Sequence, residues 1–456
     1  MNISPLISEI PGHPERKNEL EKILLSGLNR ADPYQAVKES IRVRDDGIEI
    51  IGLDHTVGCA GKVFIIGAGK ASIPMARGAA EMLGKRIHQG AIITKVLAEA
   101  EINSIPQSIT VRKGDHPIPG LNSLLSTREL LATVSDLNEK DLVICLISGG
   151  GSALLTAPVD GVSLEENQQM TRVLLDCGAD ISEINTLRKH LDLVKGGGLA
   201  KSIAPASMIT LVISDVIGNS PSVIASGPTY PDESTFQDAW KIIQKYHLEE
   251  ILPTSILSVL RMGINRQIPE TLKPGDPILK RTTLKIIASN ENAVEASLLM
   301  AKSLGYRTIN LGSELSGEAC VLGANLGLKL KTLALEKKTG PKSLCLIGGG
   351  ESTVTRKGDG LGGRNLEIAL SAVEAISGLE GVCLISLATD GEDGPTDAAG
   401  AVVTGKTFQV GMELGIHPMD FLKTNNSYRY FEKVGGLMKP GSTGTNVMDL
   451  VFLFLF

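Results

Sequence analysis

Residues 141–153 read DLVICLISGGGSA, and this stretch decides the fold. From Leu142 to Ile147 the apolar residues do not alternate with polar ones, so a strand here is buried on both faces, as in a mostly parallel sheet. The strand runs straight into Gly149, Gly150 and Gly151, three residues that cost chain entropy and repay it only where the backbone must bend tightly or approach something closely. The same sequence of apolar strand, polar or glycine loop and helical stretch recurs on either side. It appears in KVFIIGAGKAS (62–72), GAIITK (90–95) and ASMITLVISDVIG (206–218). It resumes in TLKIIASNENA (283–293), YRTINLG (306–312), SLCLIGGGEST (343–353) and VCLISLATDGEDGPTDAAG (382–400). Strands alternating with helices predict a doubly wound α/β architecture. Residues of about 265–281, with three prolines, read as a linker. The expected division is therefore 1–270 and 271–456, two α/β domains whose strand ends face a shared cleft. Upstream, 15–31 carries a helical stripe of Leu20, Ile23, Leu24 and Leu28, and IRVRDDGIEIIG (41–52) reads as a hairpin.

Composition narrows the function. The chain has 456 residues, 42% apolar and 21% charged, with a net charge of −6. No block of like charge exists, which argues against a nucleic-acid or anionic-membrane binder. Aromatics are only 3%, too few for base-stacking platforms. Glycine is abundant at 50 residues, so bound anions would be held by backbone amides and a few local cations. Of six cysteines, Cys145, Cys345 and Cys383 lie in apolar runs and read as buried hydrophobes, which suits a reducing compartment. MNISPLISEIPGHPERK lacks a signal-peptide pattern, and no apolar run is long enough to span a membrane. A cytoplasmic location is expected; oligomeric state, including a homo-oligomer, is left open.

Several loops can carry chemistry. In GAGKAS (67–72), Gly67 and Gly69 would let the backbone approach an anion, and Lys70 would aim a point charge at the strand-end cleft. Its bland reading is a tight turn with a solvated lysine. In SGGGSA, Ser148, Gly149, Gly150, Gly151 and Ser152 would wrap a phosphate, with Ser152 as donor or helix cap. NTLRKHLDLVKGGGLAK (185–201) puts Arg188, Lys189 and Lys195 on a helix, and reads first as a solvated basic face closed by glycines. Asp215, at the tip of an apolar strand, is either a Mg²⁺ ligand or a turn cap. Arg364 in GGRN can reach an anion bidentately and Glu351 in GGGEST could help hold a metal; the bland reading is two hairpin turns with a surface arginine. Asp390, Glu392, Asp393 and Asp397 form an acidic loop without EF-hand spacing. His116 and His190 are the histidines near these motifs. No Ser-His-Asp set or nucleophile elbow is present.

Taken together, GAGKAS, GDHPIPG, SGGGSALL, LRKHL…KGGGLA, SDVIGN…SVIASGPT, GGGESTV, GGRN, ATDGEDGPTDAAGAVV and GSTGTNVMDL resemble one family in order and content. That family is the class II glycerate 2-kinases, whose C-terminal part is called the MOFRL domain. The resemblance implies an N-terminal Rossmann-like domain, a C-terminal MOFRL-containing domain and an active site between them. It implies ATP- and Mg²⁺-dependent phosphorylation of D-glycerate to 2-phosphoglycerate, with Lys70 and Arg364 as the catalytic pair. On that basis Asp215 is expected as a further catalytic or metal-binding group. Gly67, Gly69, Ser148–Ser152 and Lys195 are expected on nucleotide phosphates, and Glu351, Asp390 and Asp393 on substrate or Mg²⁺. Asn219, Leu361 and Leu366 depart from residues common in the family. Two rival readings are a hydroxypyruvate reductase using NAD(P)H, suggested by the strand-glycine-helix at 63–80, and a non-catalytic phospho-sugar-binding module.

Overall fold

The computed structural model describes residues 13–53, 55–97, 99–336 and 343–456. The start of the chain, used above in the signal-peptide reading, lies outside these up to residue 12. The first helix, α1 (Lys17–Arg30), buries Leu20, Ile23, Leu24 and Leu28, the stripe read from the sequence. It packs not on its sequence neighbours but on a helix at Asn290–Ser303. There the Ser26 hydroxyl donates to the Ala296 carbonyl at 3.0 Å.

This packing decides how the chain divides. A central unit comprises residues 33–287, and a split unit joins the residues up to Asp32 to 288–456. The expected boundary at 270/271 falls inside the central unit. The stretch 265–281 is not a linker, because its apolar residues are used as core: Ile268, Ile278 and Leu279 pack on core clusters. Leu272 is fully buried. Its N–H donates to Gly196 at 3.1 Å, and its carbonyl accepts from Asp232 at 2.7 Å.

The central unit opens with a three-stranded antiparallel sheet, β1 (Ile41–Val43), β2 (Gly47–Ile50) and β3 (His55–Gly58), in which β1 and β2 form the expected hairpin. Then come β4 (Val63–Ala68), α2 (Ser72–Leu83), β5 (Ile87–Thr94), β6 (Ile109–Lys113), β7 (Leu142–Ile147), α3 (Ile181–His190), β8 (Ser207–Ile213) and β9 (Thr282–Ala288). The six-stranded sheet has the order β6-β5-β4-β7-β8-β9, and the pairs from β6 to β8 are parallel. Counting from β4, this is the 3-2-1-4-5-6 order of a Rossmann-like sheet, with its switch point between β4 and β7. Every residue of β4 and β7 is buried.

The split unit contributes α4 (Asn290–Ser303), β10 (Arg307–Asn310), β11 (Leu315–Glu318), α5 (Ala319–Glu336), β12 (Leu344–Thr353), α6 (Arg364–Ala372), β13 (Val382–Ala388), β14 (Gly400–Thr404), β15 (Leu437–Met438) and β16 (Asp449–Leu455). Its sheet is mixed. β10 and β11 run parallel to β12, while β16 lies antiparallel between β12 and β13. Continuous apolar runs signal two buried faces but not strand direction, which here is set by long-range connections. Cys145, Cys345 and Cys383 are fully buried on β7, β12 and β13, as their sequence context implied. No helix among the described residues is long and apolar enough to cross a membrane.

Candidate active site

The switch point of the central sheet brings two loops together. After β4 the chain turns through Gly69 into Lys70; after β7 it turns through Ser148 and the three glycines. The Lys70 N–H donates to the Gly149 carbonyl at 2.9 Å. The Ala71 N–H donates to Ser148 Oγ at 3.0 Å. Ser148 is buried, so its hydroxyl fastens one loop to the other rather than facing a ligand. Gly67 lies within β4, where a Cβ would press on the Leu146 carbonyl of β7. Its smallness serves strand contact.

Two glycines leave room for functional side chains. A Cβ on Gly149 would stand 2.3 Å from an Asp215 carboxylate oxygen. Gly150, at φ +81°, would place a Cβ 2.9 Å from the His116 ring and 3.5 Å from Lys70 Cγ. Lys70 itself is exposed, and its Nζ makes no hydrogen bond or ion pair with a described residue. A cavity of about 260 Å³ opens here, lined among others by His116, Gly150, Ser152, Asn185, Arg188 and Asp215. The Ser152 hydroxyl on its wall lies 3.0 Å from that of the buried Ser226. Burial first, and then the Lys70 and Lys95 charges, push the His116 pKa down to about 4, so its ring is neutral near pH 7.

Lys195, expected on phosphate, is used otherwise. The helix α3 stops at His190, and just beyond it Asp192 turns inward. Its carboxylate accepts from the Ala157 and Val194 N–H groups and from Lys195 Nζ at 2.9 Å. Lys195 also donates to the Leu155 carbonyl at 2.8 Å and is buried. Lys189 is buried too, paired with Asp232 at 3.2 Å. The solvated basic face read from the sequence is therefore largely an internal ion-pair layer. Arg188 is the exception.

In the split unit, GGGEST forms the end of β12 rather than a turn. Arg364 opens α6, and its guanidinium is held on two edges. Nε and Nη2 donate to the two Asp449 oxygens at 2.5 and 3.1 Å, and Nη1 donates to Glu351 at 2.8 Å. Asp393 accepts from the backbone N–H groups of Asn365 and Leu366 at 3.1 and 2.8 Å. It thus caps the first turn of α6, and it is almost wholly buried. Burial raises Asp393 to about 7 and Asp449 to about 6, the helix amides and Arg364 pulling the other way. Asp390 is half-buried and accepts from the Glu392 N–H at 3.2 Å, a turn contact. Leu366 is fully buried and Leu361 packs against the same core, so both departures from the family pattern add apolar packing.

The structure thus gathers Gly69, Lys70, Gly149, Gly150, Ser152 and Asp215 in one place, and Glu351 and Arg364 in another. It gives Ser148, Lys195 and Asp393 internal partners. His116, Asn185 and Asp449 belong to these places but stood outside the expected set. The sequence signal for His116 and Asp449 was their presence inside GDHPIPG and GTNVMDL.

A Rossmann-like sheet with an unneutralised lysine and a glycine loop at its switch point defines a binder of small anions or nucleotide phosphates. Comparison with known proteins sharpens this. A family described as "Domain of unknown function (DUF4147)" matches residues 19–261, and the MOFRL family matches 344–449. A D-glycerate 2-kinase of Thermotoga maritima is 39% identical over 427 residues, spanning 92% of this chain and 98% of that protein. A glycerate 2-kinase of Pyrococcus horikoshii is 40% identical over 431 residues, spanning 94% and 95%. A crystal structure of glycerate kinase from Thermotoga maritima superposes with a TM-score of 0.86 at 37% identity, covering 97% of this chain and all of that one. An Agrobacterium vitis relative, 37% identical over 437 residues, bears a provisional hydroxypyruvate reductase name. The chain belongs to the MOFRL glycerate kinase family.

Proposed function

We propose that the protein is a glycerate 2-kinase that transfers the γ-phosphoryl group of ATP to the 2-hydroxyl of D-glycerate. The hydroxyl oxygen forms a bond to the γ-phosphorus, the bond from that phosphorus to the bridging oxygen breaks, and the electron pair leaves with ADP. Such transfer is mainly positioning and charge neutralisation. Lys70 meets the transferring phosphoryl group. Arg364 is assigned to the same transfer as a second, pre-oriented cation. The Gly149–Gly151 backbone receives nucleotide phosphates, and Ser152 lines their seat.

Asp215 is the carboxylate of the cavity, and no cluster of three or more metal-ligating side chains exists among the described residues. That donor set fits Mg²⁺, which takes one or two protein carboxylates and fills its other positions with phosphate oxygens and water. When bound, the ion would offset phosphate charge, with Asp215 as its protein ligand. In the alternative role Asp215 takes the hydroxyl proton. Asp393, enclosed by α6 amides, does neither.

The observation that carries this reading is the unpaired Lys70 beside the glycine loop at the sheet's switch point. Phosphorus NMR of a mixture of protein, ATP, Mg²⁺ and D-glycerate tests it: 2-phosphoglycerate and ADP are expected, and their absence refutes it. The reductase reading lacks its ribose anchor, since β5 runs out into Thr94 and Lys95 rather than an acidic residue. Loss of NADH absorbance with hydroxypyruvate, without ADP formation from glycerate, would favour it instead.

A further inference from the structure

We infer that Arg188, with Asn185, is the carboxylate anchor for the acid acceptor and thereby selects which hydroxyl is phosphorylated; this rests on the kinase reading above. Ile181, Asn185 and Arg188 follow one another at intervals of four and three on α3, so they share one face, and all three line the cavity. The opposite face, Ile184 and Leu187, is locked into the core. A reciprocal capping box of Asp180 and Glu183 fixes the start of the helix. Arg188 is therefore presented from a rigid element.

Its electrostatics are unusual for this layer of the protein. Lys189 and Lys195, beside it, have carboxylate partners. Arg188 is half-buried yet makes no hydrogen bond or ion pair with any described residue. Asp192, one turn on, is already engaged by Lys195, Thr156 and two backbone amides. A desolvated guanidinium without a partner is costly, and an arriving anion removes that cost. Asn185 is buried; its Oδ1 accepts from the Ser226 hydroxyl at 3.0 Å, and its amide nitrogen donates to no described residue. A guanidinium fork beside an amide donor matches a carboxylate.

The occupant is small. At about 260 Å³ the cavity falls below the ~300–1,000 Å³ of pockets that enclose drug-sized ligands, so it suits a three-carbon acid meeting a terminal phosphate at the Gly150–Ser152 wall rather than a whole nucleotide. Among the described residues the lining carries one cation, Arg188, for one carboxylate, while Lys70 stands next to Gly150, its Cγ 3.5 Å from where a Cβ there would be, for the phosphoryl group. Once the carboxylate is fixed, the 2-hydroxyl sits on the adjoining carbon and the 3-hydroxyl one carbon further, so the anchor sets the position of transfer.

The test uses the full chain with ATP and Mg²⁺, and compares D-glycerate with glycerol, its neutral counterpart. Arg188→Gln should raise KM for glycerate by about 10- to 100-fold with KM for ATP unchanged, and should erase the preference for glycerate over glycerol. Arg188→Lys, a point charge without the fork, should recover part of the loss. Ile181→Glu, at an exposed helix-start position where an acid is tolerated, should also raise KM for glycerate by repulsion. It keeps the test valid should Arg188→Gln fail to fold. Wild-type KM for glycerate in the folded variants, or a rise in KM for ATP instead, overturns the anchor alone. A wild-type protein that makes no phosphoglycerate overturns the kinase reading and the anchor with it.

Discussion

The cations of this protein fall into two kinds, and the contrast is informative. In the central unit, Arg188 lines the cavity and Lys70 stands beside its Gly150 wall, and neither makes an ion pair or hydrogen bond with a carboxylate of the described residues. In the split unit, Arg364 is gripped by Asp449 and Glu351. An unpaired cation has its full charge available to a ligand, but its position is set only by packing. A gripped one has its direction fixed in advance and much of its charge already offset, which favours Arg364 further toward the protonated form. The first kind is suited to capture and the second to orientation. Lys195 belongs with the second kind, although its place beside a glycine run suggested the first.

Four measurements would break or sharpen that division. Lys195→Ala leaves Asp192 buried without its partner and should cost about 3–5 kcal/mol of stability, read by denaturant unfolding. If the variant is stable and loses nucleotide affinity instead, Lys195 moves to the capture group. Lys70→Ala should do the reverse, lowering kcat by about 10²-fold or more with an unchanged melting temperature. Near-normal turnover in the folded variant would remove Lys70 from the mechanism.

Asp393 offers a pH test. Its folded pKa, about 7, lies above the ordinary aspartate value of about 3.9. The stabilisation linked to its protonated form is therefore present below pH ~4 and is lost as the pH rises through ~7. The stability advantage of the wild type over Asp393→Asn should shrink between roughly pH 5 and pH 8. Parallel melting curves across it would show that the carboxylate is not held protonated. The smallest effect is expected of Glu351→Gln. A half-exposed pair is worth about 0–1 kcal/mol, so Asp449 alone should keep Arg364 in place. A loss well above that would make Glu351 a full partner in orientation.

Much of this was legible in the residues. Buried strands announced themselves as unbroken apolar runs, and the loops after β4 and β7 as glycine clusters, because both signals are local. The position of Lys70 and Asp215 at strand ends followed from the same pattern. What escaped were facts that depend on distant partners. Nothing within residues 17–30 says that α1 packs on α4, and so the division of the chain was misplaced. The inward turn of Asp192 cannot be read from LDLVK, yet it is what draws Lys195 into the interior. Arg188 and Lys189 are adjacent and chemically alike in the sequence; only the angle of α3 separates a cavity-lining guanidinium from an internal ammonium.

The position of β16 has a consequence for how the molecule comes into being. It is the seventh strand in order of synthesis within its sheet, but it is inserted between β12 and β13, and Asp449 is its first residue. On the ribosome, residues 33–287 are complete long before this segment emerges. The layer around Arg364 can close only when residues 449–455 are threaded into its middle. The guanidinium is thus aligned by the last piece of sheet to be made, and a nascent or truncated chain that lacks it would leave Arg364 without the Asp449 carboxylate that fixes its direction.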